Sequence, residues 1–474
     1  MNICETKVIF KTENSLLQKL FDTAERKCLN NLKDFAGRKV LIEGGGYEKI
    51  WLETQPMGGE MYAKRNMEAA INNQLLFMEY ARSDGRIPGS IALIDGKIIP
   101  QFNKFQGFCF PAPALNMYYL AGEDREYLNL LYTTLERFDE YLWRVRDTDG
   151  DACLESWCKY DTGEDNALRY GDAPNWWDKE TPPEGYEKVP IASIDVMSYS
   201  YSARETLSKI AGILYKDDLK KSWEIKASEV KKKIRDYLWN DDLGMCIDRD
   251  RQHNPMLVKM HNTLRAMYWN SIDKDMADAF AYKHLLNPKE FWTNMPLPSV
   301  AADDPLFKNE SKNDWSGQPE ALTYQRAIRA LDNYGFEWIE PLLGSKLFNA
   351  IGEDCVFVQQ YDPFTCKPSK VSLEGEMDAY GPAMLSTLEY IARMYGVHRE
   401  GNLIYWGCFH GTNAEYEQIF DGESFAIKNS GHSSEGFING KKIFGIDESM
   451  RVVTNLKGEV VELKSFEECY NKAK

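Results

Sequence analysis

The sequence is poor in the features that mark several large functional classes. Its six histidines, at 253, 261, 284, 398, 410 and 432, include no HExxH pair, so no metal centre is expected. There is no Gly-x-Ser-x-Gly elbow, and no cysteine sits in a nucleophile motif. The ten cysteines are scattered from Cys4 to Cys469, and only Cys153 and Cys158 lie close together. That spacing gives neither a CxxC pair nor a compact disulfide framework. No apolar run approaches a membrane span, and the opening "MNICETKVIFKTENS" lacks the order of a signal peptide. A cytoplasmic protein with reduced thiols is the expectation. Positive charge is also short, with 57 Lys and Arg against 73 Asp and Glu and a net charge of −16. This excludes a general binder of nucleic acid or anionic membrane, both of which need a basic face. The segment "EGGGYEK" (43–49) has no Gly-Lys-Ser/Thr ending and reads as a turn rather than a phosphate loop. No organic cofactor is implied.

Aromatic residues, in contrast, are plentiful, with 12 Trp, 26 Tyr and 22 Phe. Most belong in a core, but rings also stack on the C–H faces of sugars, so the excess favours a carbohydrate ligand modestly. From residue 15 to about 396 the chain reads as one helix after another. Segments such as "DREYLNLLYTTLERFDEYLWRVRDTDG" and "EALTYQRAIRALDNYG" place apolar residues at three- and four-residue spacing and close on Gly. Long polar connections separate them, and loops of that size are usually functional. Alternating helices with long loops at one end describe a mainly α protein, an α/α toroid over residues 1–400. After about residue 402 short alternating runs take over, and Asn439-Gly440 is a type I′ hairpin signal, so residues 401–474 read as a small β appendage packed on the toroid.

With metal, serine and cysteine chemistry set aside, carboxylates remain. Glycoside hydrolysis needs two of them, one to protonate the leaving oxygen and one to activate water or attack the sugar. The densest acidic and aromatic stretch is "YDTGEDNALRYGDAPNWW" (160–177). Within it, "TGEDNALRY" resembles the "SGxDNSPR" segment of the mannosylglycerate hydrolase-like glycosidases, relatives of the mannosyl-oligosaccharide glucosidases and trehalases. "DWSGQPEALTYQRAIRALDNYG" (314–335) is similar to their "WRGPxW" segment and the helix after it, and "QQYDPFTCKPS" (359–369) to their "ExYDPxTG" segment. The resemblance spans roughly residues 40–410 and implies an (α/α)6 barrel that cleaves sugars.

Residue by residue, the resemblance puts Asp165 on the general acid; the residues around it offer Glu164 and Asp161 as charges able to raise its pKa and Trp176 and Trp177 as a dry wall. The family's base is a glutamate two positions before the tyrosine of "ExYDP", where this chain has Gln359. An amide cannot take a proton from water, so the candidate replacements are Glu320, Glu374 and Glu376. Arg65 and Asn66 match a polar cluster on the family's first helix. Asn166, Arg169, Gln318 and Gln359 are the other polar candidates for sugar binding, and Trp157, Tyr160, Trp176, Trp177, Trp315 and Tyr361 are the aromatic ones. The expectation is an inverting exo-glycosidase acting on short α-linked gluco- or manno-configured glycosides. Two alternatives stay open: a phosphorylase, which would need cations such as Arg65, Arg169 and Arg326 around the site, and an inactive sugar-binding protein.

Overall fold

The computed structural model describes residues 1–312, 314–369 and 378–473. Helices α1 (Ser15–Leu29), α2 (Gln55–Tyr62), α3 (Met67–Glu79), α4 (Pro111–Leu120), α5 (Arg125–Val145) and α6 (Ile194–Ile213) form the first half. The second half consists of α7 (Asp217–Lys233), α8 (Asn262–Tyr268), α9 (Lys274–Phe280), α10 (Ala321–Tyr334), α11 (Glu340–Ile351) and α12 (Gly381–Tyr395). Helix α5 begins at Asp124, whose carboxylate accepts from the amides of Glu126 and Tyr127, and α10 ends at Gly335 in the left-handed conformation.

The even-numbered helices touch in succession, α2 to α4, α6, α8, α10 and α12, and α12 returns to α2, so the contacts close a ring. The odd-numbered helices pack outside it. Sequence pattern explains the division. Helix α12 is buried along its whole length and α6 over nearly all of it, whereas α5 and α7 carry one apolar stripe and a charged outer face. No helix is long and apolar enough to cross a membrane among the described residues.

Four small β elements among the described residues interrupt the region read as continuous helix, two of them only two residues long, Glu155–Ser156 with Ile191–Ala192 and Trp239–Asn240 with Met245–Cys246. Leu32–Phe35 pairs with Arg38–Leu41, and Ile50–Trp51, Ser90–Ile94 and Lys97–Gln101 form a three-stranded sheet. Toward the C-terminus, a four-stranded sheet runs in the order Val397–Glu400, Leu403–Cys408, Met450–Asn455, Val460–Ser465. The β region thus begins at Val397, slightly before 401. A five-stranded sheet contains Ala414–Phe420, Glu423–Asn429, Ser434–Ile438 and Lys441–Ile446, and one of its two edge strands is Thr6–Thr12, paired antiparallel with Ala414–Phe420. Asn439 and Gly440 both have positive φ, as a type I′ turn requires.

Candidate active site

The N-terminal ends of the inner helices meet on one face, and the residues just before them carry the polar chemistry. Glu53 precedes α2, Gln106 precedes α4, His261 precedes α8, Glu320 caps α10 and Tyr380 caps α12. The segment 161–170 lies across these ends and is fixed from below. Asp161 accepts from the Trp157 amide (2.8 Å) and pairs with Arg146 (2.6 Å). Glu164 is wholly buried against Arg169 and His261 Nε2 (2.7 Å), and Arg265 lies 3.8 Å away. Burial alone would raise the proton affinity of Glu164, but Arg169 and Arg265 outweigh it and hold the carboxyl well below the usual range. Asp161 is likewise depressed, its burial overcome by Arg146. Arg169 completes the layer with Asp195 (2.9 Å) and Asp248 (3.3 Å).

Asp165 projects from this anchored segment and is half-exposed. The amide Nε2 of Gln106 lies 3.2 Å from Asp165 Oδ1 and 3.5 Å from Glu53 Oε1, so one nitrogen serves both carboxyls. Glu53 is buried and pairs with Arg326 Nη2 (2.8 Å). Its carboxylate rests on Gly163, where a Cβ would come within 1.8 Å of Glu53 Oε2 and where φ is +77°, so glycine is required twice over. Burial pushes Glu53 up to about 7 against the pull of Arg326.

Across the face, Glu320 is fully buried and accepts from Gln360 Nε2, with the Gln359 amide also bonded to it. Burial holds its carboxyl well above the usual range, and the Asp165 and Glu53 charges add to the shift. Glu43 accepts from Tyr380 Oη (3.0 Å), and burial together with Glu53 raises it as well. Tyr47 Oη donates to Gln359 Oε1 (2.8 Å), and its ring meets Trp51 and Tyr380 edge-on. Lys104 lies between the rings of Trp51 (5.0 Å to the centroid) and Tyr160 (4.7 Å). Four carboxyls, Glu43, Glu53, Asp165 and Glu320, therefore share the face with Lys104 and Arg326, and the positive ends of the helix dipoles offset part of the excess.

A set of neighbouring carboxyls, several with raised proton affinity, suits acid–base work on a sugar, and the family comparison agrees. The profile of the mannosylglycerate hydrolase MGH1-like glycoside hydrolase domain matches residues 55–374. The chain belongs to this glycoside hydrolase family. Among solved structures, the GH63 mannosylglycerate hydrolase from Thermus thermophilus in complex with glucose is similar, with a TM-score of 0.62 and 16% identity over 78% of this chain and 99% of that one. An α-L-rhamnosidase from Dictyoglumus thermophilum gives 0.58 and 14%, covering 92% of this chain and 44% of its own. A neutral trehalase from Saccharomyces cerevisiae gives 0.52 and 14%, covering 75% and 73%. These are likenesses of fold, and the mannosylglycerate hydrolase and trehalase are glycosidases of (α/α)6 type. No curated protein matches the sequence.

Within this glycosidase the residues named from sequence fall into three groups. Asp165, Tyr160, Asn166, Glu320 and Gln359 lie at the carboxyl face; Tyr160 neighbours both Asp165 and Asn166. Trp315 is buried beneath it, against His261 and Arg326, and its backbone N–H donates to the Asp165 carbonyl (3.2 Å). Gln318 is buried between Asn309 and Ser369. Trp177 is half-buried, with its amide on the Asn103 carbonyl (2.8 Å), and Trp176 beside it is 56% exposed, so the pair forms no dry wall around Asp165.

The second group is held elsewhere. Arg65 lies past the far end of α2 from Glu53, paired with Glu25 (2.5 Å), and Asn66 caps α3. Arg169 is enclosed by three carboxylates, and with Glu164 and Asp161 bound to arginines these acids add no free charge beside Asp165. Trp157 is core, stacked on Arg146, and Tyr361 is core, bonded to the Val356 carbonyl (2.8 Å).

The third group, Glu374 and Glu376, lies outside the described residues. Sequence reasoning missed Glu43, Glu53, Lys104, Gln106, Trp51 and Tyr380; Glu43 stood inside the glycine-rich segment read as a turn. For a metal, Asp149, Asp151 and His253 are the grouping that the described residues offer, at the surface, with Lys233 on Asp151 (3.6 Å) and Tyr237 on His253 Nδ1 (2.5 Å).

Proposed function

We propose that this (α/α)6 toroid is an inverting, exo-acting hydrolase of short α-linked gluco- or manno-configured glycosides, with Asp165 as acid and Glu320 as the displaced base. The supporting observation is the pairing of Glu320 with Gln359 and Gln360, which puts a carboxyl beside the position where the family keeps its glutamate. Asp165 protonates the glycosidic oxygen as the bond to the anomeric carbon breaks. Glu320 takes a proton from the water that attacks the opposite face, and the product leaves with inverted configuration. Exo action is favoured because Glu43, Glu53 and Glu320 are buried while Asp165 and Tyr160 are half-exposed, which suits entry from the side of the acid. Phosphorolysis is less favoured, since Arg65, Arg169 and Arg326 are each engaged by carboxylates. The eight buried cysteines are free thiols, which fits a reducing cytoplasm.

The test is Asp165→Asn, assayed in phosphate-free buffer on disaccharides and on aryl glycosides with the product anomer followed by NMR. Losing a positioned proton donor costs about 10²–10⁴-fold on a poor leaving group. Aryl glycosides, which need little protonation, lose less. Equal activity of variant and wild type on every substrate removes Asp165 from the acid role.

A further inference from the structure

We propose that Lys104 selects the leaving group, donating from its ammonium to a hydroxyl of a neutral sugar aglycone held against Trp51 and Tyr160. The inference rests on the hydrolase reading above. An ammonium carries three N–H donors. Lys104 faces two aromatic rings, which attract a cation without accepting those hydrogen bonds in the ordinary way. No hydrogen-bond acceptor or carboxylate partner lies within bonding distance of its Nζ among the described residues. The neighbouring Lys49 also lies over Trp51 (5.2 Å), but it donates to Gln101 Oε1 (2.9 Å) and is already engaged.

Position decides which part of a substrate Lys104 meets. Burial lowers its proton affinity, and of the carboxylates that restore it Asp165 acts most strongly, with Glu53 and Glu43 weaker. Two residues along the chain from Lys104, Gln106 Nε2 lies 3.2 Å from Asp165 Oδ1, whereas Glu320 is engaged by Gln360. Lys104, against Tyr160 and next to the Gln106 that holds Asp165, therefore stands on the acid's side of the face. Because the acid protonates the glycosidic oxygen, the group beyond it is the one that departs. Trp51, Lys104, Tyr160 and Asp165 are all half-exposed, so this side is also the mouth.

Charge decides the class of aglycone. An acidic leaving group reaching Lys104 would approach Asp165, Glu53 and Glu43, whereas Arg326 is spent on Glu53. A hydroxyl oxygen accepts the same hydrogen bond without that repulsion, and its ring carbons stack on the aromatic rings.

The experiment compares wild type and Lys104→Met on maltose or α-mannobiose, the p-nitrophenyl α-glycoside of the same sugar, and the same sugar linked to glycerate. A hydrogen bond to a charged donor is worth enough that the ratio of kcat/KM, disaccharide over aryl glycoside, should fall about 10- to 100-fold, mainly through KM. Lys104→Arg should recover part of that ratio. An equal loss on both substrates, or a wild-type preference for the glycerate compound that the variant loses, overturns the proposal. If wild type cleaves none of these compounds, the hydrolase reading fails on its own. Calorimetry then still decides about Lys104: the proposal requires the variant to weaken disaccharide binding more than monosaccharide binding, and equal weakening refutes it.

Discussion

Replacing Arg169 with methionine keeps an unbranched stem, shorter than that of arginine, and removes the charge from between Glu164, Asp195 and Asp248. The side chain is about 2% exposed, and its carboxylate partners are equally buried. Asp195 keeps Arg265 at 2.7 Å, and Glu164 keeps His261, but Asp248 is left with the Ile194 amide at 2.8 Å. Breaking a buried pair from one side costs about 3–5 kcal/mol, because the remaining charge stays buried. The loss has a pH signature. Burial already pushes Asp248 up to about 6, with Arg169 opposing the rise, and removing Arg169 raises it further. A carboxyl whose folded pKa is raised contributes stability below its unfolded pKa and loses it as pH rises through the folded value. Glu164 in the wild type has the opposite sign: its depressed pKa contributes stability above about 4.5, lost as pH falls. The gap between variant and wild type should therefore be widest near pH 7 and narrower at pH 5.5. Guanidinium denaturation followed by tryptophan fluorescence reads both. A variant as stable as wild type at pH 7 but weakened in sugar binding would refute the reasoning and return Arg169 to the substrate.

If Glu320 is the base, Glu320→Gln abolishes hydrolysis while Gln359→Glu changes it little; activity that survives Glu320→Gln and is lost in Glu374→Gln or Glu376→Gln moves the role to those residues. A strong gain of activity in Gln359→Glu instead marks the natural chain as a crippled enzyme. Because the Glu320 carboxyl is raised and must be ionised to accept a proton, the acidic limb of kcat/KM against pH should lie well above the ordinary 4.5, and a limb at 4 to 5 excludes Glu320. Trp157→Ala should cost about 3–5 kcal/mol of stability. Trp176→Ala, at an exposed position, should leave the denaturation midpoint near wild type, and a large shift there would place Trp176 in the core.

The helices were legible because their signal is local. A stripe such as Leu128, Leu131, Leu135, Phe138 and Leu142 can be read without knowing what it packs against. The Asn439-Gly440 turn was legible for the same reason, and Asp95-Gly96, with positive φ at both residues, carried an equal signal between Ser90–Ile94 and Lys97–Gln101 that the helical reading passed over. Thr6–Thr12 could not be placed, since its partner lies some four hundred residues away. At the active site, the motif around Asp165 identified a loop but not which way its charges point. Glu164 and Arg169 turn inward to each other, while Asp165 turns outward, and one-dimensional charge density does not separate the two. Glu53 and Lys104 escaped notice because each is an isolated charge whose meaning comes from a neighbour on another segment.

The pairing of Thr6–Thr12 with Ala414–Phe420 also sets an order of events in synthesis. The first strand leaves the ribosome with an open edge, and its partner follows only after the whole ring of helices. At about 5–20 residues per second, that wait is roughly 20 to 80 s. During it the nascent chain holds an unpaired β edge beside a ring that cannot close before α12 arrives. Chaperone dependence should therefore concentrate at this stage, and early release of the chain should favour strand pairing between molecules over pairing within one.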